Sequence, residues 1–277
     1  MPIAPYKIAL PRAGRAPVIA HVPHASTLIG ENERRLILLD DDALRREVAR
    51  VTDWDVDYLF SWVLDYGGVL FVNELSRLVF DPERFADDAL EPAAAHGQGV
   101  IYTHTTDGMP LATITAGERA SRIQNLYDPY HEGFTAVVQD TLDQFGMALI
   151  LDCHSFPSEP LPTEVATNDV RPDVCLGTDA FHTPTVLVES LQHAFRAEGF
   201  TVHRNSPFAG TLTPLDYMGK DPRVMSVMIE VRRDLYCDEA TGERTAEFAR
   251  MRALLERVVS FAVGQMIRER RAGSAPR

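Results

Sequence analysis

Three segments of this chain carry an imidazole or a carboxylate where an apolar run stops or is interrupted: VIAHVPHAS (Val18 to Ser26), MALILDCHS (Met147 to Ser155) and VMIEVRRDLY (Val227 to Tyr236). An apolar β run that halts on a histidine leaves the ring at the edge of a sheet, where open α/β sheets bind ligands. His24 and His154 are so placed, and Glu230 is a lone acid inside the third run. One such histidine reads most simply as a hydrogen-bonded structural residue. Three such termini in one chain point to chemistry.

Catalytic zinc takes three protein ligands and keeps one position open, and two neutral imidazoles with one carboxylate satisfy that set. His24 and His154 supply the nitrogens, and the run TDWDVDY offers Asp53, Asp55 and Asp57 for the oxygen. Asp53 and Asp57 would share a helical face through i,i+4 spacing, and Asp53 is the expected ligand. The competing reading makes these aspartates a solvated helix face. Two neutral histidines and one carboxylate around a divalent metal leave a net positive site, which lowers the pKa of bound water toward about 7. A nearby carboxylate must then take the water's proton and hand it to the leaving nitrogen. Glu230 suits that role because apolar strand neighbours raise its pKa. The alternative is a buried ion pair with Arg232, two residues on and so on the same strand face. Asp152, two residues before His154, is placed to orient an imidazole or, equally, to cap the loop after the strand.

The elements that must bring these segments together alternate in type. A helix, or two, is expected from Asp40 to Gly68, a strand over Gly68 to Asn73, and an irregular stretch from Glu74 to Pro110 of the kind that is usually functional. A helical region from Ala116 to Phe145 contains Pro129, which starts a new helix or kinks the first. MALILD is a buried strand, Val174 to Thr178 a short one, Thr183 to Gly199 a helix closed by glycine, and FTVHRN the strand after it. Glu239 to Arg271 reads as a long amphipathic helix. The alternation predicts a layered α/β sheet with helices on both faces.

With 277 residues and 45% apolar content, the chain is expected to form a single domain over residues 1–277, with a core at about 18–271 and a frayed tail at 272–277. Lys and Arg total 27 against 40 Asp and Glu, a net charge of −13 that disfavours nucleic acid but leaves room for a local cationic pocket. The longest apolar runs fall far short of the ~20 residues that span a bilayer, so no membrane association is expected. The N-terminus lacks a continuous apolar h-region, which makes a cytoplasmic address the default. Cys153, Cys175 and Cys237 are too far apart for a CxxC pair, and Cys153 is expected to pack into the core. No GxSxG elbow occurs, and Lys220 follows no Walker loop, which argues against a serine hydrolase and an ATPase. The expected partner is a small-molecule substrate; oligomeric state has no signal.

The chain resembles the N-formylglutamate amidohydrolase family in PHAS at His24, TDW at Asp53, SRLVFDPER from Ser76 to Arg84, GERASRIQNLYDPYH from Gly117 to His131, DCHS at His154, PFAGT from Pro207 to Thr211 and MIEVRRDLY at Glu230. The matches keep their order from about Val18 to Tyr236. The resemblance implies a fold like that of the zinc carboxypeptidases (phosphorylase/hydrolase-like): a single-domain three-layer α/β/α sandwich around a mixed, mostly parallel sheet. It implies an amidohydrolase that cleaves the formyl amide of N-formyl-L-glutamate to formate and L-glutamate in histidine breakdown. It makes His24, Asp53 and His154 ligands of Zn2+ or another divalent metal, Glu230 the general base and acid, and Arg77, Arg84, Arg122 and Arg232 candidates for the substrate carboxylates. Arginine forks suit a dicarboxylate independently of any resemblance. Family members often read DLNR where this chain has Asp81, Pro82, Glu83 and Arg84. An acid at Glu83, if it faces the pocket, would repel an acidic substrate and favour a related N-acyl amino acid. Competing readings are a carboxypeptidase-like peptide hydrolase and a non-catalytic carboxylate-binding protein of the same fold.

Overall fold

Strands covered on both faces read as unbroken apolar runs, and such strands make the centre of this fold. The computed structural model describes residues 4–164 and 170–273. In it β1 (Tyr6–Ala9), β2 (Val18–Val22), β3 (Val69–Asn73), β4 (Ala148–Phe156), β5 (Val174–Gly177), β6 (Val202–Arg204) and β7 (Val224–Arg232) form one sheet in the order β1-β3-β2-β4-β7-β5-β6. β3, β2, β4 and β7 run parallel to one another and β6 runs parallel to β5, whereas β1 is antiparallel to β3 and β5 to β7. The helices are α1 (Glu31–Arg34), α2 (Asp41–Val51), α3 (Val56–Leu59), α4 (Ala116–Arg122), α5 (Asp128–Phe145), α6 (Thr185–Ala197) and α7 (Phe248–Gly273). This is the mixed, mostly parallel α/β architecture that the sequence predicts.

Period-two alternation sorts the strand residues into two cores. Val18, Ala20, Val22, Leu149, Leu151, Cys153, Val227 and Ile229 pack with Leu187 and Leu191 of α6 and Leu255 and Val259 of α7. Ile19, Phe71, Ala148, Ile150 and Val224 pack with Tyr130, Phe134, Val138 and Leu142 of α5. Each large apolar side chain so buried contributes about 1.5–3 kcal/mol, and a one-residue slip of any central strand would exchange the two sets. Cys153 therefore packs away from the face that carries His154, as expected. A third cluster, Ile37, Leu44, Val51, Leu78, Tyr102 and Leu111, supports the irregular stretch after β3.

The Asp40 to Gly68 segment, expected as a helix or two, divides into α2, α3 and a 3₁₀ turn at Ser61–Tyr66. α2, capped by the Asp40 side chain on the Ala43 N–H, ends at Thr52, and after it Asp55 takes a left-handed φ of 55°. The region from Ala116 to Phe145 runs through a π turn at Ile123–Tyr127 into α5, with Pro129 in the first turn of that helix, one of the two outcomes expected for it. α7 starts at Phe248 rather than Glu239, because the Asp238 side chain accepts from the N–H groups of Ala240 and Thr241 and holds a turn there. Of the tail expected to fray, residues 274–277 lie outside the described residues.

That turn also braces the chain at Asp53. Gly242 has a φ of +76°, and a Cβ on it would lie 2.4 Å from Cδ2 of Trp54, while the Tyr236 hydroxyl donates to the Trp54 carbonyl at 2.9 Å. Gly242→Ala is therefore expected to lose at least about 2 kcal/mol in denaturant unfolding, combining left-handed strain with the clash. Gly146→Ala, at a φ of +71° with open space around it, is the control and should lose about 1 kcal/mol. Equal losses would show that the contact with Trp54 contributes nothing.

Candidate metal centre

Strand register assembles the site. β4 and β7 pair with His154 opposite Glu230, and β2 and β4 pair with His21 opposite Asp152. All four residues share the alternation of Ile19, Ile150 and Val224, so they project from the sheet face that α5 covers. His24 lies two residues beyond the end of β2, where the Asn73 amide holds the Pro23 carbonyl at 2.9 Å. Asp53 comes from the break after α2, and its backbone N–H donates to the His24 carbonyl at 2.9 Å. The two imidazoles at the strand ends thus converge with a carboxylate from a helix end.

His24 Nδ1 is 3.7 Å from Asp53 Oδ2, and His154 Nδ1 is 3.1 Å from the same oxygen. One donor atom from each of His24, Asp53 and His154 lies within 4.8 Å of the others, and all three residues are buried. The outer nitrogens are held by carboxylates: His24 Nε2 is 2.9 Å from Asp81 Oδ1, and His154 Nε2 is 3.1 Å from both Asp152 Oδ1 and Glu83 Oε1. Carboxylates behind two rings whose other nitrogens converge are the usual support of metal-ligating histidines. His24 Nδ1 is buried without a hydrogen-bond partner among the described residues. An orphaned imidazole nitrogen facing a carboxylate and a second imidazole fits a cation. Asp55 and Asp57 are not part of this group. Asp55 pairs with Arg244 and Asp57 lies 4.0 Å from Lys7, so the helical face expected to join Asp53 and Asp57 does not exist.

A cavity of about 680 Å³ opens over the group and is lined by His24, Asp53, His154, Glu230, Arg77 and Arg84, among others. Arg77 is committed to Asp81 through Nε at 3.2 Å and Nη2 at 2.7 Å. Arg84 lies 3.6 Å from Asp81, and its Nε is buried and unclaimed among the described residues. Glu83 also lines the cavity, against His154. Two expected carboxylate receptors are elsewhere. Arg122 donates to the Val79 carbonyl at 3.0 Å, behind the segment that carries Arg84, and does not line the cavity. Arg232, the last residue of β7, turns outward to Asp173 at 3.0 Å and Asp234 at 2.7 Å, because two carboxylates wait there. Its neighbour Arg233 takes the inner place, donating to Asp53 Oδ1 at 2.9 Å, to the Ser155 hydroxyl at 3.1 Å and to the Arg50 carbonyl at 2.6 Å.

The model of the N-formylglutamate amidohydrolase family matches residues 16–237. The chain belongs to the N-formylglutamate amidohydrolase family. N-formylglutamate deformylase of Pseudomonas putida is 28% identical over 235 residues, covering 82% of this chain and 84% of the relative. The corresponding enzyme of Pseudomonas aeruginosa is 28% identical over 237 residues, covering 82% and 85%. The crystal structure of N-formylglutamate amidohydrolase from Ralstonia eutropha JMP134 superposes with a TM-score of 0.82 at 28% identity, covering 94% of this chain and 98% of that one.

In this family member the site's charges are set by burial and by close partners. Burial raises the pKa of Asp53, but His154, His24 and Arg233 outweigh it and hold the carboxyl well below its usual range. Asp81 is likewise buried and likewise held low, by Arg77, His24 and Arg84. Burial would lower the pKa of His154, yet the charges of Glu83 and Asp152 push it well above the ordinary imidazole value. Glu230 behaves oppositely to its acidic neighbours. Burial, reinforced by Asp53 and Glu83 and opposed by His154, lifts it to about 8, and its Oε2 has no hydrogen-bond partner among the described residues.

The residues that sequence reasoning did not single out are Arg233, Asp81, His21 and Gln98. Gln98 lines the cavity with a buried Nε2 that is unclaimed among the described residues. Arg233 and Asp81 sit inside quoted motifs, and only the ends of β7 and of the segment after β3 reveal their direction. Glu230 also gives a pH test. The folded chain keeps its proton to about 8, whereas an ordinary glutamate loses it at 4.5, so the stability due to the neutral acid is full at low pH and is lost as pH rises through that window. After chelator treatment, Glu230→Gln should stabilise the protein at pH 9 relative to pH 5, by on the order of 2 kcal/mol after discounting the coupled neighbours. Denaturant unfolding at both pH values measures this, and a pH-independent difference would contradict it.

Proposed function

We propose that the chain is a metal-dependent amidohydrolase that cleaves the N-acyl amide of a small acidic N-acyl amino acid, with N-formyl-L-glutamate as the leading substrate. The observation that carries this reading is the convergence of the unpartnered His24 Nδ1, the Nδ1 of His154 and Asp53 beside a buried, proton-retaining Glu230. Relatives named N-formylglutamate deformylase support the substrate.

His24, Asp53 and His154 would hold a divalent cation, zinc by the chemistry of the donor set. Such a cation supplies Lewis acidity to the amide carbonyl and to an attacking water, and its charge favours the ionised form of Glu230. The chain's own groups do the rest. Glu230 accepts a proton from the water and returns it to the leaving nitrogen, a role suited to an acid whose pKa lies near the working pH. Arg233 fixes Asp53 through Oδ1, leaving Oδ2 toward the histidines. Arg84 is the receptor for a substrate carboxylate, because it lines the cavity and its Nε, 3.6 Å from Asp81, makes no hydrogen bond among the described residues, whereas Arg77 donates twice to Asp81. The Gln98 amide is a second donor on the cavity wall. Glu83 brings a negative charge into the same cavity, where it lies 3.1 Å from His154 Nε2.

A hydrolysis screen of N-formyl, N-acetyl and N-succinyl amino acids, with and without chelator, tests the reading. Formate should be released from N-formyl-L-glutamate, the release should stop on chelation and return with zinc, and Glu230→Gln should keep the metal while losing at least about a hundredfold in turnover. Chelator-insensitive hydrolysis, or unchanged turnover in the variant, would refute it. In a separate measurement, Arg84→Ala should raise KM for a diacid by about tenfold or more and change it much less for a neutral analogue. Equal effects on the two substrates would remove Arg84 from carboxylate recognition.

A further inference from the structure

His21 is fully buried in β2 and touches neither the cavity nor the three candidate ligands, yet it is hydrogen-bonded at both ring nitrogens. Its Nδ1 is 2.9 Å from Asp152 Oδ1, and its Nε2 is 2.7 Å from the Tyr130 hydroxyl of α5. Asp152 Oδ1 in turn meets His154 Nε2 at 3.1 Å, and Asp152 Oδ2 accepts the Leu212 N–H at 2.7 Å. The result is a continuous buried chain from Tyr130 through His21 and Asp152 to His154. The strand register that sets His21 opposite Asp152 makes this chain a consequence of the sheet itself.

The hydrogen-bond roles in the chain follow from chemistry. An ionised carboxylate only accepts, and Asp152 takes the Leu212 N–H on Oδ2 while its Oδ1 lies between His21 Nδ1 and His154 Nε2. His21 must therefore donate from Nδ1, which leaves Nε2 to accept from the Tyr130 O–H. His154 must likewise donate from Nε2 to Asp152, which frees its Nδ1 lone pair on the side of Asp53 and His24. The ring of His21 lies against Phe134, with centroids 4.6 Å apart, and between Tyr130 and Phe71 at 5.9 and 6.2 Å, so packing opposes a flip. His21, Glu83 and Asp152 also lie close enough together to suggest a second cation group. Both His21 nitrogens are already engaged, however, and the cluster serves as a support.

We propose that His21 and Tyr130 are positioning residues: through Asp152 they fix the tautomer and ring orientation of His154, and so set the affinity and geometry of the metal at the site. This rests on the metal reading above and extends it two residues deeper than the carboxylate behind the ligand. Supports of this kind are worth about 10–100-fold in metal affinity when adjacent to a ligand, so the lower end of that range applies one step further out.

The test is a zinc titration of the folded protein against a chromophoric chelator, together with the visible spectrum of the cobalt form, which reports ligand geometry without turnover. His21→Gln puts its amide near the Nε2 position and loses the donor to Asp152. It should bind zinc about tenfold more weakly and shift the cobalt bands. His21→Asn puts an amide N–H near the Nδ1 position and should stay close to wild type in both readouts. Tyr130→Phe removes only the terminal hydroxyl and should show a smaller, few-fold loss. Wild-type affinity in folded His21→Gln, or equal losses in the Asn and Gln variants, would overturn the proposal. If the His21 variants fail to fold, Tyr130→Phe decides, and unchanged affinity and spectrum there would overturn it. A wild-type protein that binds no metal would instead refute the metal reading itself, and this inference with it.

Discussion

Everything in the site depends on keeping one anion, Asp53, out of water. It is 2% exposed, and an isolated carboxylate so buried would simply take up a proton. It stays ionised because its two oxygens are divided: Oδ1 takes the Arg233 guanidinium, and Oδ2 faces the imidazoles of His24 and His154. Those three partners arrive from the far end of β7, from beyond β2 and from β4. The buried anion therefore works as a constraint on the fold, since loosening any partner would leave a charge uncompensated in the interior, a defect worth about 3–5 kcal/mol in comparable buried pairs.

The same electrostatic logic explains why the surroundings suit a cation. With both histidines neutral, as the proposed ligand role requires, the carboxylates of Asp53, Asp81, Asp152 and Glu83 outnumber the guanidinium groups of Arg77, Arg84 and Arg233. The His154 imidazole responds by holding a proton well above its ordinary pKa, driven by Glu83 and Asp152 against the cost of burial. A divalent cation at the converging nitrogens answers the same deficit without a charged ring. Glu230 stays neutral for a related reason. Its burial and the nearby Asp53 and Glu83 leave no room for another uncompensated charge, so its proton is kept to about 8.

How much of this could be read from the sequence follows from how local each signal is. Period-two apolar runs fixed the faces of β2, β4 and β7, so His24, His154 and Glu230 could be found by where those runs stop or break. Asp53 could be named, but for a wrong geometric reason: it lies in a helix break, not on a helical face with Asp57. The arginines were the weakest reading. Alternation from Glu230 points to Arg232, but β7 ends there and a 3₁₀ turn begins at Arg233, so the side chain that reaches inward is the one alternation rejects. Arg122 belongs to a helix whose orientation no local pattern reveals. His21 gave no signal at all, because a histidine in an apolar strand is an ordinary core residue until register sets Asp152 beside it.

The two histidines also end up with unequal support. Behind His24, Asp81 is already matched by Arg77 at 2.7 Å and by the Tyr102 hydroxyl at 2.9 Å, so much of its charge is spoken for before it meets the imidazole. Behind His154, Asp152 is approached by the Leu212 N–H and the His21–Tyr130 chain, and carries no direct guanidinium partner among the described residues. A carboxylate without a guanidinium partner is the stronger hydrogen-bond acceptor and makes the ring it supports more basic. His154 is thereby the more electron-rich of the two candidate ligands and His24 the one fixed by ion-pair geometry. The difference arises from position in the sheet. His154 lies within β4, where only strand neighbours and α5 can reach the residue behind it, whereas His24 lies beyond the end of β2, open to the arginine-bearing segment that follows β3.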